Sequence, residues 1–275
     1  MSSGTTATTV FPLPTWLDIK HFLGAGEWSQ ETGDLGVRAS AVLTRHQAAD
    51  LCARLRGMGL DGHPLTVTCT PPLKRALIRA ARTDDARRRR DTSPGFTRKG
   101  VRINKEGRIG LTPETLAMQI AESTRGKRVL DACCGIGGNT IGFARAGANV
   151  IANERSTEIL AMARHNARVY GVTESISFRQ GDANQLTTQG CDICFLDPPW
   201  GTDWNRVETT PNAFPLVETF YKAFLEGAPW KSLWLKVPAS FKPPEKWSSV
   251  SPIFGCKPGD ARRIKFLLVK YQHQD

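Results

Sequence analysis

Asp131-Ala132-Cys133-Cys134-Gly135-Ile136-Gly137-Gly138-Asn139-Thr140 lies midway along this chain, and its reading decides the fold. An apolar strand over Arg128–Ala132 ends in an acid, a glycine turn follows, and a helix reads over Asn139–Ala146. Gly135 and Gly137 let backbone approach a ligand that side chains there would block. Outward from this turn, from Leu111 onward, strands and helices alternate. Further strands read at Asn149–Asn153, Ser175–Arg179, Asp192–Leu196, Ser232–Val237 and Ile264–Tyr271, and further helices at Thr157–Tyr170 and Asn212–Glu226. Thr112-Pro113-Glu114 reads as a helix start, with a capping hydroxyl and then proline at the first helical position. This alternation predicts an α/β fold. Its sheet is mostly parallel, with six strands read here, helices on both faces and a ligand at the carboxyl ends of its strands.

Three strand ends carry glycine or an acid. The first ends at Asp131, the second at Glu154, and the third at Gly181-Asp182-Ala183. A dinucleotide fingerprint would place Gly or Ala three residues after Gly137, where this chain has Thr140. An acid four positions before the first glycine instead suits a ligand with an ammonium group, such as the amino-acid end of S-adenosylmethionine. Glu154 can accept both ribose hydroxyl hydrogens and Asp182 an adenine amino hydrogen. The candidate cofactor set is Thr112, Asp131, Cys133, Gly135, Gly137, Asn139, Thr140, Glu154, Asp182, Ala183 and Asp197, in a class I, Rossmann-like methyltransferase fold, whose mostly parallel sheet would be seven-stranded.

About sixty residues after Asp131 comes Asp197-Pro198-Pro199-Trp200, directly after the fourth strand. An exocyclic amine on a purine is a poor nucleophile because its lone pair is delocalised into the ring. Asp197 and the carbonyl of Pro198 can accept hydrogen bonds from that amine, localising the lone pair as a methyl arrives. Pro198 and Pro199 restrict φ and hold the carbonyl in place, and Trp200 offers a face on which the base stacks. Asp197, Pro198, Pro199 and Trp200 are the candidate catalytic residues.

From about Gly100 to Tyr271 the chain resembles the trimethylguanosine synthases, which methylate N2 of the 7-methylguanosine cap of small RNAs. The resemblance is carried by Gly100–Gly107, Leu111-Thr112-Pro113-Glu114, Val129–Thr140, Ala163–Ala167, Tyr170-Gly171 and Pro198-Pro199-Trp200-Gly201. It implies that Trp200 stacks on the methylated guanine and that Asp131, Glu154 and Asp182 hold the cofactor. A cationic base over tryptophan gains about 2 kcal/mol when desolvated. Two positions depart from the family's pattern. Asp197 stands where the family has serine, as in enzymes methylating guanine N2 in ribosomal RNA or adenine N6 in DNA. Ala239 stands where a phosphate-contacting arginine follows the proline, leaving Lys236 as the nearest cation.

The 275 residues suffice for one good core and a smaller module. We expect a disordered tail over 1–14, an accessory module over 15–98 and the methyltransferase domain over 99–275. In the module, Thr44 can cap a helix carrying Ala48, Leu51, Cys52, Leu55 and Met58, ended by Gly57 or Gly59. Leu65–Cys69 alternates like a strand, and Pro72 to about Arg90 reads as a basic helix before a linker at Asp91–Arg98. Net charge is +11, and thirteen Lys/Arg against four acids between Lys74 and Arg108 hold most of the excess. Such a block fits a polyanion, so Arg87, Arg88, Arg89, Arg90 and Lys236 are candidate RNA contacts; a solvated linker is the alternative. Seven cysteines form no disulfide or zinc framework, and Cys191 and Cys194 read as core thiols, so no metal is expected. No apolar run suits a membrane span, and Met1–Thr9 lacks the features of a secretory signal. An intracellular protein is expected, with nucleus or cytoplasm and oligomeric state left open.

The reading is an S-adenosylmethionine-dependent methyltransferase for guanine N2 of capped small RNA. N2 of an internal guanine or N6 of adenine is the alternative. An idle methyltransferase fold serving as an RNA-binding partner stands apart from both; idle relatives lose a pocket acid or the Pro-Pro-aromatic slot, and this chain keeps both.

Overall fold

The computed structural model describes residues 4–88, 93–201 and 204–273. Its amino-terminal part holds β1 (Thr5–Leu13), α1 (Ile19–Leu23), β2 (Ser29–Gly33), β3 (Gly36–Thr44), α2 (Arg45–Leu55), β4 (Gly59–Leu60), β5 (His63–Pro64), β6 (Thr66–Thr70) and α3 (Arg75–Arg88). Four strands form an antiparallel sheet in the order β2-β3-β1-β6. α2 opens on a capping box in which Thr44 and Gln47 satisfy each other's backbone N–H, and it buries Ala48, Leu51 and Leu55. The expected tail over 1–14 is corrected here: Thr5–Leu13 is an inner strand of this sheet. Its threonines look like a polar tail by hydropathy. They are nonetheless β-branched strand formers, and Thr6, Thr8 and Val10 alternate inward.

The remainder holds α4 (Lys105–Arg108), α5 (Glu114–Ala121), β7 (Arg128–Asp131), α6 (Gly138–Arg145), β8 (Asn149–Glu154), α7 (Thr157–Tyr170), β9 (Ile176–Gln180), β10 (Cys191–Leu196), α8 (Pro215–Leu225), β11 (Trp230–Val237), β12 (Ser249–Phe254) and β13 (Ile264–Gln272). They build a seven-stranded sheet ordered β12-β13-β11-β10-β7-β8-β9. Only β13 runs antiparallel to its neighbours β11 and β12. The sequence pattern missed β12. It is an edge strand interrupted by Pro252 and serines, so neither its alternation nor its hydropathy stands out. Cys191 and Cys194 are buried in β10, as core thiols.

The two parts share one core. Leu13, Phe22, Leu55 and Leu60 join Leu235, Leu267 and Phe241 in a single cluster. Two seams hold them together. At the β12–β13 turn, Arg54 donates to the Arg262 carbonyl at 3.0 Å, Arg262 to the His21 carbonyl at 2.8 Å, and Arg263 pairs with Asp85 of α3. At the second seam Gly59 N–H bonds the Arg206 carbonyl at 3.2 Å. Because β12 is parallel to β11, its turn lies at the carboxyl end of the parallel strands. The amino-terminal part therefore sits at that end of the sheet. The linker expected at 91–98 is packed over its described residues: Phe96 is buried, and Thr97 N–H meets Glu114 at 2.6 Å and Tyr170 Oη at 3.0 Å.

Candidate active site

The central feature is the turn after β7. Gly137 enters α6 at φ 93°, a left-handed conformation that favours glycine, and leaves the first N–H groups of α6 without a side-chain cap. Asp131 is fully buried, and its Oδ2 accepts from Thr140 Oγ1 at 2.6 Å, so the acid also ties the turn to the helix that follows. Burial pushes its carboxyl up to about 7 despite that bond, and the charge of Asp197 adds to the rise.

Glu154, at the end of β8, accepts from Gly135 N–H at 3.2 Å and from Ser156 N–H at 2.8 Å. Asp182, after β9, is exposed and accepts from Asn184 N–H at 2.9 Å. The Cys133 thiol is pushed up by burial first and then by Asp131, Asp197, Glu154 and Asp182. The four acids picked out along the sequence thus converge around one side chain. Ala183 is buried beside Asp182.

Across from these acids, Asp197 follows β10 and its Oδ2 accepts from Asn139 Nδ2 at 3.0 Å and from Lys236 Nζ at 2.6 Å. Burial pushes the Asp197 carboxyl up, and Lys236 opposes the rise. Pro198 is buried and Pro199 exposed. Trp200 is half-buried, its indole N–H donating to the Lys236 carbonyl at 3.3 Å. Trp204, which the sequence reading did not single out, stands edge-on to Trp200 with ring centroids 6.0 Å apart. Tryptophans alone gave no signal, and only the loop's path brings the two rings together.

The residues present fit S-adenosylmethionine. Among the described residues, Thr112 Oγ1, Asp131 Oδ1 and Asn139 Oδ1 are buried without a hydrogen-bond partner, as expected of groups that meet a polar ligand. Carboxylates at the ends of β7, β8 and β9 suit its ammonium, ribose hydroxyls and adenine amine.

Two expectations are corrected. Thr112 caps no helix: Pro113 is the N-cap and α5 begins at Glu114, leaving the Thr112 hydroxyl buried. Lys236 is 4% exposed and bound to Asp197 and to the Gly110 carbonyl, so it is not placed to meet a phosphate. Arg87 is exposed and pairs with Asp84 at 3.7 Å, while Arg88 closes α3. Arg89 and Arg90 lie outside the described residues.

Residues 126–209 match the model of the RNA cap guanine-N2 methyltransferase family. The match lies within the seven-stranded-sheet part of the chain, from before β7 to the loop after β10. A trimethylguanosine synthase of Schizosaccharomyces pombe is 34% identical over 113 residues, covering 37% of this chain and 47% of that protein. A 23S rRNA (uracil(1939)-C(5))-methyltransferase of Nitrosospira multiformis is 33% identical over 89 residues, covering 30% of this chain and 20% of that one. The chain therefore matches less than half the length of these curated relatives. Among solved structures, that of a methyltransferase of Porphyromonas gingivalis W83, described as putative, covers 84% of this chain and 57% of its own at 16% identity, with TM-score 0.51. At that identity the likeness concerns fold alone, and the class I methyltransferase fold is the one expected. Among the described residues, no helix is long and apolar enough to cross a membrane.

Proposed function

We propose that the chain transfers a methyl group from S-adenosylmethionine to the exocyclic N2 of guanine in RNA. The observation that carries this reading is the placing of Asp197-Pro198-Pro199-Trp200 beside the acid-lined turn, with the Asp197 side chain 12% exposed and bonded at one oxygen. When bound, the cofactor supplies an electrophilic methyl on sulfur; Asp131, Glu154 and Asp182 would hold it. Asp197 and the Pro198 carbonyl accept hydrogen bonds from the amine and localise its lone pair. Trp200 stacks on the base and orients it. After transfer, the amine's proton leaves to Asp197 or to water. The rate gain comes from positioning and electrostatics rather than from a strong base.

The family match makes the 7-methylguanosine cap the first substrate to test. A second reading, an internal guanine of structured RNA, is favoured by the engagement of Lys236 with Asp197 and by Ala239 at the position after Pro238. The test is to incubate the protein with labelled S-adenosylmethionine and, separately, 7-methylguanosine diphosphate, GTP and total RNA. Label on 7-methylguanosine diphosphate supports cap methylation. Label on RNA alone, recovered as N2-methylguanosine, supports the internal site. Label recovered on adenine moves the amine to N6. No label on any of them, with cofactor bound, sinks the enzymatic reading in favour of an RNA-binding partner.

A further inference from the structure

Lys236 sits where β11, β13, the Asp-Pro-Pro-Trp turn and the loop before α5 meet. It sits near the carboxyl end of β11, 4% exposed. Its ammonium lies 2.6 Å from Asp197 Oδ2 and 3.3 Å from the Gly110 carbonyl. The same ammonium is 5.0 Å from the ring centre of Phe266 on β13 and 5.6 Å from that of Trp200. Its own carbonyl receives the Trp200 indole N–H. Asn139 also donates to Asp197 Oδ2, so both bonds fall on the same oxygen. Among the described residues, Asp197 Oδ1 has no hydrogen-bond partner. A lysine buried this deeply is costly unless its charge is matched and its donors are used. Here two of its three donors are used, and the match is the acid of the catalytic turn.

We propose that Lys236 is the positioning residue of this site: it locks Asp197 through Oδ2, so that Oδ1 is the oxygen presented to the substrate amine. The proposal deepens the methyl-transfer reading and rests on it for the identity of the amine. The lock accounts for the aspartate at a position where the resembled family carries serine. A serine needs no counter-charge when buried, whereas an aspartate does, and β11 supplies it. The Gly110 contact extends the lock to the loop that leads into α5, so the cofactor side and the base side of the crevice are joined through one ammonium. Lys236 is here a partner of the acid, not of an RNA phosphate.

The groups facing Asp197 set the sign of the test. Lys236 from β11 favours the carboxylate, Asn139 from α6 bonds it, and Asp131 at the end of β7 and the Cys133 thiol lie within electrostatic reach. Removing the ammonium leaves only the Asn139 bond to oppose burial, so Asp197 takes up its proton at higher pH. A protonated Asp197 is a poorer acceptor for the amine.

The experiment measures kcat/KM against pH for the wild type, Lys236→Met and Lys236→Arg. It also measures cofactor affinity by calorimetry and the 13C carboxyl titration of Asp197 without substrate. Lys236→Met is expected to move the acid limb up by about one pH unit or more and to lose roughly tenfold activity at neutral pH. The loss narrows on the alkaline side, and cofactor affinity stays within about twofold. Lys236→Arg, which keeps the charge, keeps the acid limb. A uniform loss at every pH with the limb unmoved overturns the positioning role. If the methionine variant does not fold, Lys236→Gln gives the same comparison, since it removes the charge and keeps a donor. A wild type inactive on every nucleobase amine would sink the methyl-transfer reading. The substrate-free titration still decides the lock: a higher Asp197 titration in the variant supports it, and an equal one overturns it.

Discussion

Trp200 and Asp131 are the residues whose roles are most directly measurable. Trp200 is held at its indole nitrogen by β11 and leaves its ring half-buried beside Trp204, an arrangement that suits stacking rather than core filling. Base–aromatic stacking is worth about 1–3 kcal/mol, so Trp200→Ala is expected to lower kcat/KM by about 10- to 100-fold. Cofactor affinity measured by calorimetry should stay nearly unchanged; equal loss of cofactor in a folded variant would contradict the stacking role. Asp131, raised to about 7 by burial, holds a proton in the folded chain between about pH 4 and 7 that the unfolded chain has already lost. Stability from this group therefore falls as pH rises across that window. A ligand carrying an ammonium favours the ionised form. Cofactor affinity is expected to be about tenfold weaker at pH 6 than at pH 8, a slope that Asp131→Asn removes. Calorimetry at the two pH values checks both proteins.

At the scale of elements, the loop after β10 and helix α3 carry the predictions. The loop is pinned on two sides: Thr209 and Ser240 share a 2.8 Å hydroxyl bond, and Gly59 packs directly on Val207. A Cβ at Gly59 would fall 2.0 Å from the Val207 carbonyl oxygen, a backbone atom that cannot swing aside. Gly59→Ala is expected to cost about 1–3 kcal/mol of stability and to lower activity while cofactor affinity is retained. Thermal unfolding and calorimetry on one preparation would separate these effects; unchanged melting and activity would show that the loop is not held there. The basic end of α3 lies at the same end of the sheet as the crevice, through the Asp85–Arg263 pair. Neutralising Arg87, Arg88, Arg89 and Arg90 is expected to weaken RNA binding and to flatten its salt dependence. The log–log slope should fall by about 0.7 for each phosphate no longer neutralised. An unchanged slope in filter-binding titrations would return the block to a solvated surface.

For the whole molecule, the amino-terminal part is a wall at the carboxyl end of the parallel strands and not a tethered module. Leu60, Phe22 and Leu55 are buried in the same cluster as Leu235 and Leu267, and arginines of the β12–β13 turn bond across the seam. A chain starting at residue 99 would expose that face, so it is expected to aggregate or to melt well below the full chain in circular dichroism. A cooperative melt at the full chain's temperature would contradict the shared core. The sequence by itself determined the parallel sheet, the glycine turn, the acids at three strand ends and the Asp-Pro-Pro-Trp slot. All of these rest on local signals: period-two apolar runs, glycines where backbone must turn, and polar residues at strand ends. The strand within Thr5–Leu13, the edge strand β12, the Trp200–Trp204 pair, the idle hydroxyl of Thr112 and the Lys236–Asp197 bond were decided only by tertiary structure. Each depends on partners distant in the chain. Lys236 reads as a free cation until β11 is laid beside β10, because burial and pairing are properties of the packed sheet and not of any short stretch of residues.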